Sequence, residues 1–260
     1  GELMEFPLGT LMQAIADFML PLCRVTGMLM IMAGMGARNI PMRIKTGLVV
    51  MITLVMMPML PPVTPPDLMS AAMFVEVFFQ LMIGFALGFI SQMFITTFVL
   101  AGQLLATQTG LAFASMVDPS SGVSVPAIGQ FYLILATLLF FIFNGHLIMI
   151  QMLVFSFDTL PINGQWWEVS SYWTIVEFGG WMFATALAIA LAPIVAMLVV
   201  NLSFGIMTRA APQLNIFSIG FPITMLAGLL ILWLTLDTFL FHYDKQWQHA
   251  IDYSCRLIGC

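Results

Sequence analysis

The feature that most constrains this chain is the recurrence of long apolar segments along its whole length. Hydrophobic residues make up 61% of the 260 positions, only 7% are charged, and the mean hydropathy is +1.05. Soluble domains carry about 25% charged residues, so this chain lacks the polar side chains needed to cover a water-soluble globule. We therefore predict one integral membrane unit without a sizeable soluble domain.

Six apolar segments are apparent. Their approximate bounds are Gly9–Met35, Thr46–Leu60, Leu68–Leu100, Pro126–Phe157, Thr174–Val200 and Phe221–Phe241. All six are too long for ordinary strands, and none shows the alternation of an outer-membrane barrel strand. The pattern therefore predicts an all-α protein.

The basic residues predict an orientation in the membrane. Arg38, Arg43 and Lys45 lie between the first two segments, and Arg209 lies between the last two. Positively charged connections face the cytoplasm. The opposite side carries a proline-rich connection and the acidic, aromatic stretch DTLPINGQWWEVSSYW, which suits a membrane interface. Both ends of the chain are then expected on the periplasmic or exterior side.

Three departures from a simple six-span protein indicate that these helices pack in a larger assembly. The second segment has fifteen residues, which reach about 22 Å as a helix, whereas the hydrocarbon core is about 30 Å thick. The third would be about 50 Å long. The first contains Asp17 and Arg24, and each charge costs about 2.5–3.5 kcal/mol at the centre of a span. Protein neighbours suit such helices better than lipid does.

Polar residues inside apolar segments allow two interpretations. Asp17, Arg24 and Glu76 could form an ion or proton path. Alternatively they hold helices together, because Asp17 and Arg24 share nearly one helical face and could pair with each other or with neighbours; we favour this second interpretation. Gly84 and Gly88 form a G-x-x-x-G pattern, which predicts close packing of the third segment against another helix.

The sequence offers no arrangement of residues for catalysis or metal binding. His146 has no second histidine at ligand spacing, and His242 and His249 are expected to be solvated in a C-terminal tail. Cys255 and Cys260 could pair if that tail faces an oxidising compartment. A net charge of −5 argues against nucleic-acid binding. We expect no cofactor, no metal and no enzymatic activity.

Two loops rich in glycine and proline interrupt the apolar pattern. The first is GLAFASMVDPSSGVSVP, Gly110–Pro126, and the second is GIMTRAAPQLNIFSIGFP, Gly205–Pro222. Irregular backbone near membrane depth is tolerated where it is buried in protein or lines a wet cavity. Two such loops suggest a pathway through an assembly, but both could equally be connectors at the headgroups. Candidate residues of the second loop are Arg209, Pro212 and Asn215.

At these loops the chain resembles the FliR family of flagellar export-gate proteins. The resemblance is carried by GLAFASMVDPSSGVSVPAIGQFYLILATLLFFIFNGH and APIVAMLVVNLSFGIMTRAAPQLNIFSIGFP, and it extends over essentially the whole chain. It implies a FliP-like helical part over 1–173 and a FliQ-like hairpin with a C-terminal tail over 174–260, packed in a helical hetero-oligomer.

The resemblance also implies a function. Family members join FliP and FliQ in the core of the type III export gate, near FlhA and FlhB, and pass unfolded flagellar proteins. They act within the basal body at the bacterial inner membrane, in contact with lipid and with much of the assembly above the bilayer plane on the periplasmic side. The first loop acts as the channel plug. The plug residues implied here are Gly110, Leu111, Phe113, Met116, Val117, Asp118, Pro119, Ser120 and Gly122.

The plug interpretation agrees with the chemistry of the loop. Small residues form a compact body, and Phe113, Met116 and Val117 can seal a bore by apolar contact. Because we expect no helix or sheet hydrogen bonds in the loop, displacing it should cost little. Three alternatives remain: a secondary transporter with broken helices, an intramembrane enzyme, and a purely structural nucleator of the FliP ring.

Overall fold

The computed structural model describes residues 8–37, 40–60, 70–110, 115–117, 124–162, 169–210 and 216–260. Within these residues the elements follow in the order α1 (Leu8–Ile31), α2 (Met42–Met56), a 3-10 turn (Met57–Met59), α3 (Ala71–Thr109), β1 (Ser115–Val117), β2 (Ser124–Pro126), α4 (Ala127–Ile142), α5 (Gly145–Thr159), α6 (Val169–Ala210) and α7 (Ile216–Ile258). The all-α prediction is confirmed, and the two strands form one antiparallel pair of three residues each.

The described helices account for the apolar segments of the sequence. Five stretches are long and apolar enough to cross a membrane, and the bent pair α4–α5 makes a sixth if it is one broken span. Helices α3, α6 and α7 have 39, 42 and 43 residues, hence lengths of about 58–64 Å. The hydrocarbon core is about 30 Å thick, so each of these helices is longer than one straight crossing requires.

The sixth segment does not end in a tail, and this prediction was wrong. Helix α7 continues to Ile258, and His242 and His249 are half-buried in it. The ring of His249 lies 4.8 Å from that of Trp181. Polar residues lower the hydropathy of this stretch, but Phe239, Tyr243 and Trp247 recur at intervals of four and are buried. That spacing forms one apolar helix face.

The fourth segment is broken where the sequence FNGH interrupts it. Helices α4 and α5 meet at an angle of 64°. Asn144 has a φ of 57°, a left-handed conformation that asparagine tolerates better than most residues. Its carbonyl accepts hydrogen bonds from the backbone N–H groups of Leu147 and Ile148, so α5 restarts directly after the break.

The chain divides into two compact units. Unit 1 comprises Gly1–Gln92, Phe143–Glu177 and Ile251–Cys260, and unit 2 comprises Met93–Ile142 and Phe178–Ala250. Helices α3, α6 and α7 contribute residues to both. The boundary expected near residue 174 falls inside α6 and stays a prediction.

Candidate functional site

The loop that follows α3 begins at a helix end held tightly in unit 2. Gly110 directly follows α3 and has a φ of +73°, and an added Cβ would lie 2.9 Å from Phe221 of α7. Glycine adopts this left-handed conformation without strain, and it commonly ends helices in this way. Gly228 of α7 similarly packs against the side chain of Thr109, leaving no space for a Cβ. The start of the loop is therefore fixed by α7.

The other end of the loop leads into α4, which packs closely against α3. A Cβ on Gly102 of α3 would meet the ring of Tyr132 at 2.7 Å and the Cα of Gly129 at 2.9 Å. Two helices approach this closely only where a side chain is missing. The two helices that flank the loop are therefore held against each other.

An aromatic cluster of unit 2 connects these helices with α7. Its members are all buried and comprise Phe94, Phe98, Tyr132, Phe140, Phe239, Tyr243 and Trp247. The centroid of Phe239 lies 4.8 Å from that of Phe98 and 5.1 Å from that of Tyr132. The Trp247 ring is 5.2 Å from Phe94 and 5.4 Å from Phe140. Aromatic pairs at such distances add about 0.5–1.5 kcal/mol each beyond burial, so the support of the loop is rigid.

Part of the first loop forms a short β-ribbon, contrary to our expectation that it lacks sheet hydrogen bonds. Met116 pairs with Val125 in the centre, flanked by the pairs Ser115–Pro126 and Val117–Ser124. The apolar and β-branched residues on both sides of the turn-forming DPSSG favour this pairing. The structure describes Gly110 and the backbone of the ribbon. The expected plug residues Leu111, Phe113, Asp118, Pro119, Ser120 and Gly122 lie outside the described residues.

The second loop is shorter than expected. Helix α6 runs to Ala210 and α7 starts at Ile216, so most of Gly205–Pro222 is helical. Arg209 is exposed in the last turn of α6, where a cation interacts favourably with the helix dipole. Pro212 and Asn215 lie outside the described residues. The glycines and prolines suggested irregular backbone, but α7 contains Pro222 in its interior, and membrane helices tolerate glycine and proline.

In unit 1 the buried charge of Arg24 holds three helices together. Its side chain is 0% exposed. Its Nε donates a hydrogen bond to Oε1 of Gln80 in α3 at 2.6 Å, and its Nη1 and Nη2 donate to the carbonyl oxygens of Ser156 and Leu160 at 2.6 and 2.8 Å. The guanidinium also lies 4.1 Å above the ring of Phe157. Since the last carbonyls of a helix lack partners within it, Arg24 caps the C-terminal end of α5.

Glu76 is connected to Arg24 through the amide of Gln80. Gln80 donates from Nε2 to Oε1 of Glu76 at 2.8 Å while its own Oε1 accepts from Arg24. Asp17 is half-buried and accepts a hydrogen bond from Gln13 at 3.1 Å. Among the described residues, Arg24 thus has its hydrogen bonds with neighbours on α3 and α5.

The glycines of the G-x-x-x-G pattern face α1 in unit 1. A Cβ on Gly84 would overlap the carbonyl oxygen of Arg24, and one on Gly88 would overlap that of Met28. Gly27 of α1 faces α3 in the same way at Leu81. Small residues on both helices therefore let the two backbones touch. This contact sets the position of Arg24 next to Gln80.

No group of three or more histidine, cysteine, aspartate or glutamate residues suitable for a metal occurs in the part of the chain that the structure describes. The arrangements found here are of another kind: a rigid helical support below a short ribbon in unit 2, and a buried charge that joins three helices in unit 1. Both arrangements hold helices in fixed positions.

Comparison with known proteins shows to which family such a chain belongs. The family described as "Bacterial export proteins, family 1" matches residues 15–250. The chain is 39% identical over 209 residues to the flagellar biosynthetic protein FliR of Escherichia coli (strain K12), covering 80% of each chain. It is 38% identical over 222 residues to that of Pectobacterium carotovorum subsp. carotovorum, covering 85% of each. The FliR protein of Bacillus subtilis (strain 168) is 28% identical over 221 residues.

The chain belongs to the FliR family. The resemblance predicted from the sequence is confirmed. FliR-family membership makes the chain a component of the flagellar export apparatus, a type III secretion system, and a non-enzymatic transport component. Its candidate membrane spans agree with an export apparatus in the inner membrane.

Sequence reasoning missed several residues that join the helices of this FliR-family chain. Gln80 and Ser156 were not predicted to have a role, although each is a polar residue within an apolar segment. The spacing of Gln80 four residues after Glu76 places both on one helix face, and this signal could have found it. Nothing in the sequence points to the carbonyl oxygen of Leu160, because every residue has one.

Proposed function

We propose that the chain is a core subunit of a gated channel for unfolded flagellar proteins, built with FliP- and FliQ-family subunits, with residues 110–126 as a displaceable plug. FlhA- and FlhB-family proteins are the further partners. The proposal rests on one observation in unit 2: the helices that support the first loop are tightly packed, whereas the ribbon within the loop is short. Its support is fixed by close glycine contacts and an aromatic cluster, whereas the ribbon has three residue pairs. A two-stranded ribbon is marginally stable in water by itself, so it can move while its support stays in place.

An exposed apolar stripe on α6 is evidence for the assembly. Its members are 50–66% exposed and comprise Trp173, Val176, Phe183, Leu187, Leu191, Val195, Leu198, Leu202 and Ile206. They extend over the 34 residues Trp173–Ile206 of one helix, about 50 Å. To fit within a core of about 30 Å the helix would tilt by about 53°, beyond the usual range of about 0–40°.

Lipid therefore covers only part of this stripe, and neighbouring apolar subunits cover the rest. An assembly that stands partly above the bilayer plane, on the periplasmic side, accounts for the length of α6 and for the short α2, in which Met51 and Val55 are well exposed. Such an assembly would lie within the basal body.

The test measures ion leakage through the complex of this chain with FliP- and FliQ-family subunits in a planar lipid bilayer. We expect the unmodified complex to stay closed without substrate, and a complex in which residues 111–125 are replaced by a short Gly-Ser linker to pass a steady current. The control replaces residues 163–168, between α5 and α6, with the same linker and should remain closed.

A second measurement separates a gate from a structural nucleator. A stalled export substrate should crosslink to the thiol of Phe113→Cys or Met116→Cys, but not to that of Phe183→Cys on the α6 stripe. A closed bilayer with the loop replaced, or crosslinking only at position 183, would overturn the plug.

A further inference from the structure

The end of α7 carries a cysteine pair in unit 1 that the export function does not use. Cys255 lies in the last helical turn and is bonded to Cys260 through their Sγ atoms. Gly259 has a φ of +84°, and the N–H groups of Gly259 and Cys260 donate to the carbonyl oxygen of Cys255 at 2.9 and 3.0 Å. This glycine-dependent helix end turns the chain back, so that the Cα atoms of the two cysteines are 4.9 Å apart.

The turn closed by this bond is packed on one side and open on the other. Leu257 and Ile258 are each 1% exposed and Ser254 is 0% exposed. Cys255 is half-buried and Cys260 is exposed. The bond therefore holds a buried pair of apolar side chains in place and remains accessible to another protein's thiols.

The pair lies beyond the part of the chain that the family model covers. The match spans residues 15–250 and ends before Cys255, whereas the aromatic positions of α7 up to Trp247 are within it.

We propose that Cys255 and Cys260 form an oxidised staple on the extracytoplasmic side of the membrane, which fixes the last turn of α7 in unit 1. Two thiols become one disulfide with the loss of two protons and two electrons. The electrons pass to the disulfide of a thiol-disulfide oxidase through a mixed disulfide. Such bonds form and persist in oxidising compartments such as the periplasm.

An independent observation agrees with this side of the membrane. Helix α7 starts at Ile216, six residues after the α6 helix that ends near Arg209, and runs for 43 residues, about 64 Å. A span of this length places its two ends on opposite sides of the hydrocarbon core. The orientation predicted from Arg38, Arg43, Lys45 and Arg209 places the start of α7 on the cytoplasmic side. The cysteine pair then lies on the other side, where Lys245 and Arg256 are accompanied by Asp244 and Asp252.

The first experiment identifies the bond in the full chain in bacterial membranes. Trypsin cleaves after Lys245 and Arg256, so Cys255 and Cys260 fall on different peptides. With thiols blocked before lysis, we expect the peptide Gln246–Arg256 to be recovered linked to the peptide that starts at Leu257. Recovery of both peptides separately, each carrying the blocking group, would overturn the proposal.

The second experiment tests on which side of the membrane the cysteine pair lies and whether the disulfide fixes the last turn of α7. In cells without the periplasmic thiol oxidase, a membrane-impermeant maleimide should label the chain in intact cells, and the Cys255→Ser/Cys260→Ser variant, which retains Cys23, should stay unlabelled. Labelling only after the membrane is broken would refute the placement. Reduction of the purified complex should speed amide exchange at Leu257 and Ile258 by up to about fortyfold, from the chain entropy of a loop of this size. Unchanged exchange would refute the role of a staple.

Discussion

Removal of the Arg24 side chain is the sharpest test of the charge network in unit 1. In Arg24→Met, Oε1 of Gln80 and the carbonyl oxygen of Leu160 lose the donors that the structure gives them. A buried acceptor without a donor costs about 1–3 kcal/mol, which gives about 2–6 kcal/mol for two. Ser156 keeps other hydrogen bonds, since its carbonyl accepts from Leu160 N–H and its hydroxyl donates to Leu153.

We therefore expect Arg24→Met to lower the free energy of unfolding by about 2–6 kcal/mol. At about 2–4 °C per kcal/mol for chains of this size, Tm should fall by about 4–24 °C. The loss arises because Arg24 is the donor that joins α1 to α3 and α5 in unit 1.

The assay is thermal unfolding of the purified complex, followed by the reaction of Cys23 with a maleimide dye. Cys23 is the free cysteine of the described residues, and its side chain is half-buried, so its thiol becomes reactive as the helices separate. The Tm of Arg24→Lys should lie between that of Arg24→Met and that of the unmodified chain, since one ammonium cannot reproduce the guanidinium geometry. The control Arg43→Met removes an exposed arginine and should change stability by less than about 0.5 kcal/mol. Equal Tm values for the Arg24→Met and Arg43→Met variants would refute the network.

Two further predictions concern backbone positions. Gly84→Ala should prevent stable packing of α1 on α3, because its Cβ overlaps the carbonyl oxygen of Arg24. Gly180→Ala, with nothing within 4 Å of its Cβ, should stabilise α6 by about 0.5–1 kcal/mol. Thermal unfolding measures the gain at Gly180, the yield of monodisperse complex measures the loss at Gly84, and equal yields of the two variants would contradict the close contact. Asn144→Val should lower the free energy of unfolding by about 1–3 kcal/mol, because a β-branched residue is strained at a φ of 57°. Asn144→Gly should be close to neutral, and thermal unfolding distinguishes the two variants. A valine variant as stable as the glycine variant would contradict a left-handed residue at the α4–α5 break.

The sequence predicted the helices well and their ends less well. The apolar runs located every candidate span, but the break at Asn144 between α4 and α5 lies inside one of these runs. The end of α7 was missed because mean hydropathy falls when an apolar face alternates with exposed polar residues such as Asp244 and Gln248. The ribbon was missed because proline and glycine in Gly110–Pro126 suggested a loop without hydrogen bonds, although two strands of three residues pair within it.

The position of the first loop was predictable from the sequence, but the packing that supports it was not. Glycine, proline and serine restrict the backbone locally, so the sequence alone indicates where the chain interrupts its helices. The glycine contacts and the aromatic cluster that support this interruption join residues of α3, α4 and α7 that lie far apart in the chain. Their side chains are ordinary for a membrane helix, and only packing shows which of them meet.

The sequence by itself determined that this chain is a membrane protein of apolar helices and the family to which it belongs, because hydropathy and motifs are properties of short stretches. Tertiary structure decided what the buried charge does. The partners of Arg24 lie 56 and 132 residues away along the chain, and two of its acceptors are backbone carbonyls that every residue possesses. Only the close approach of α1 to α3 at Gly84, and of Arg24 to the end of α5, selects these atoms from all others.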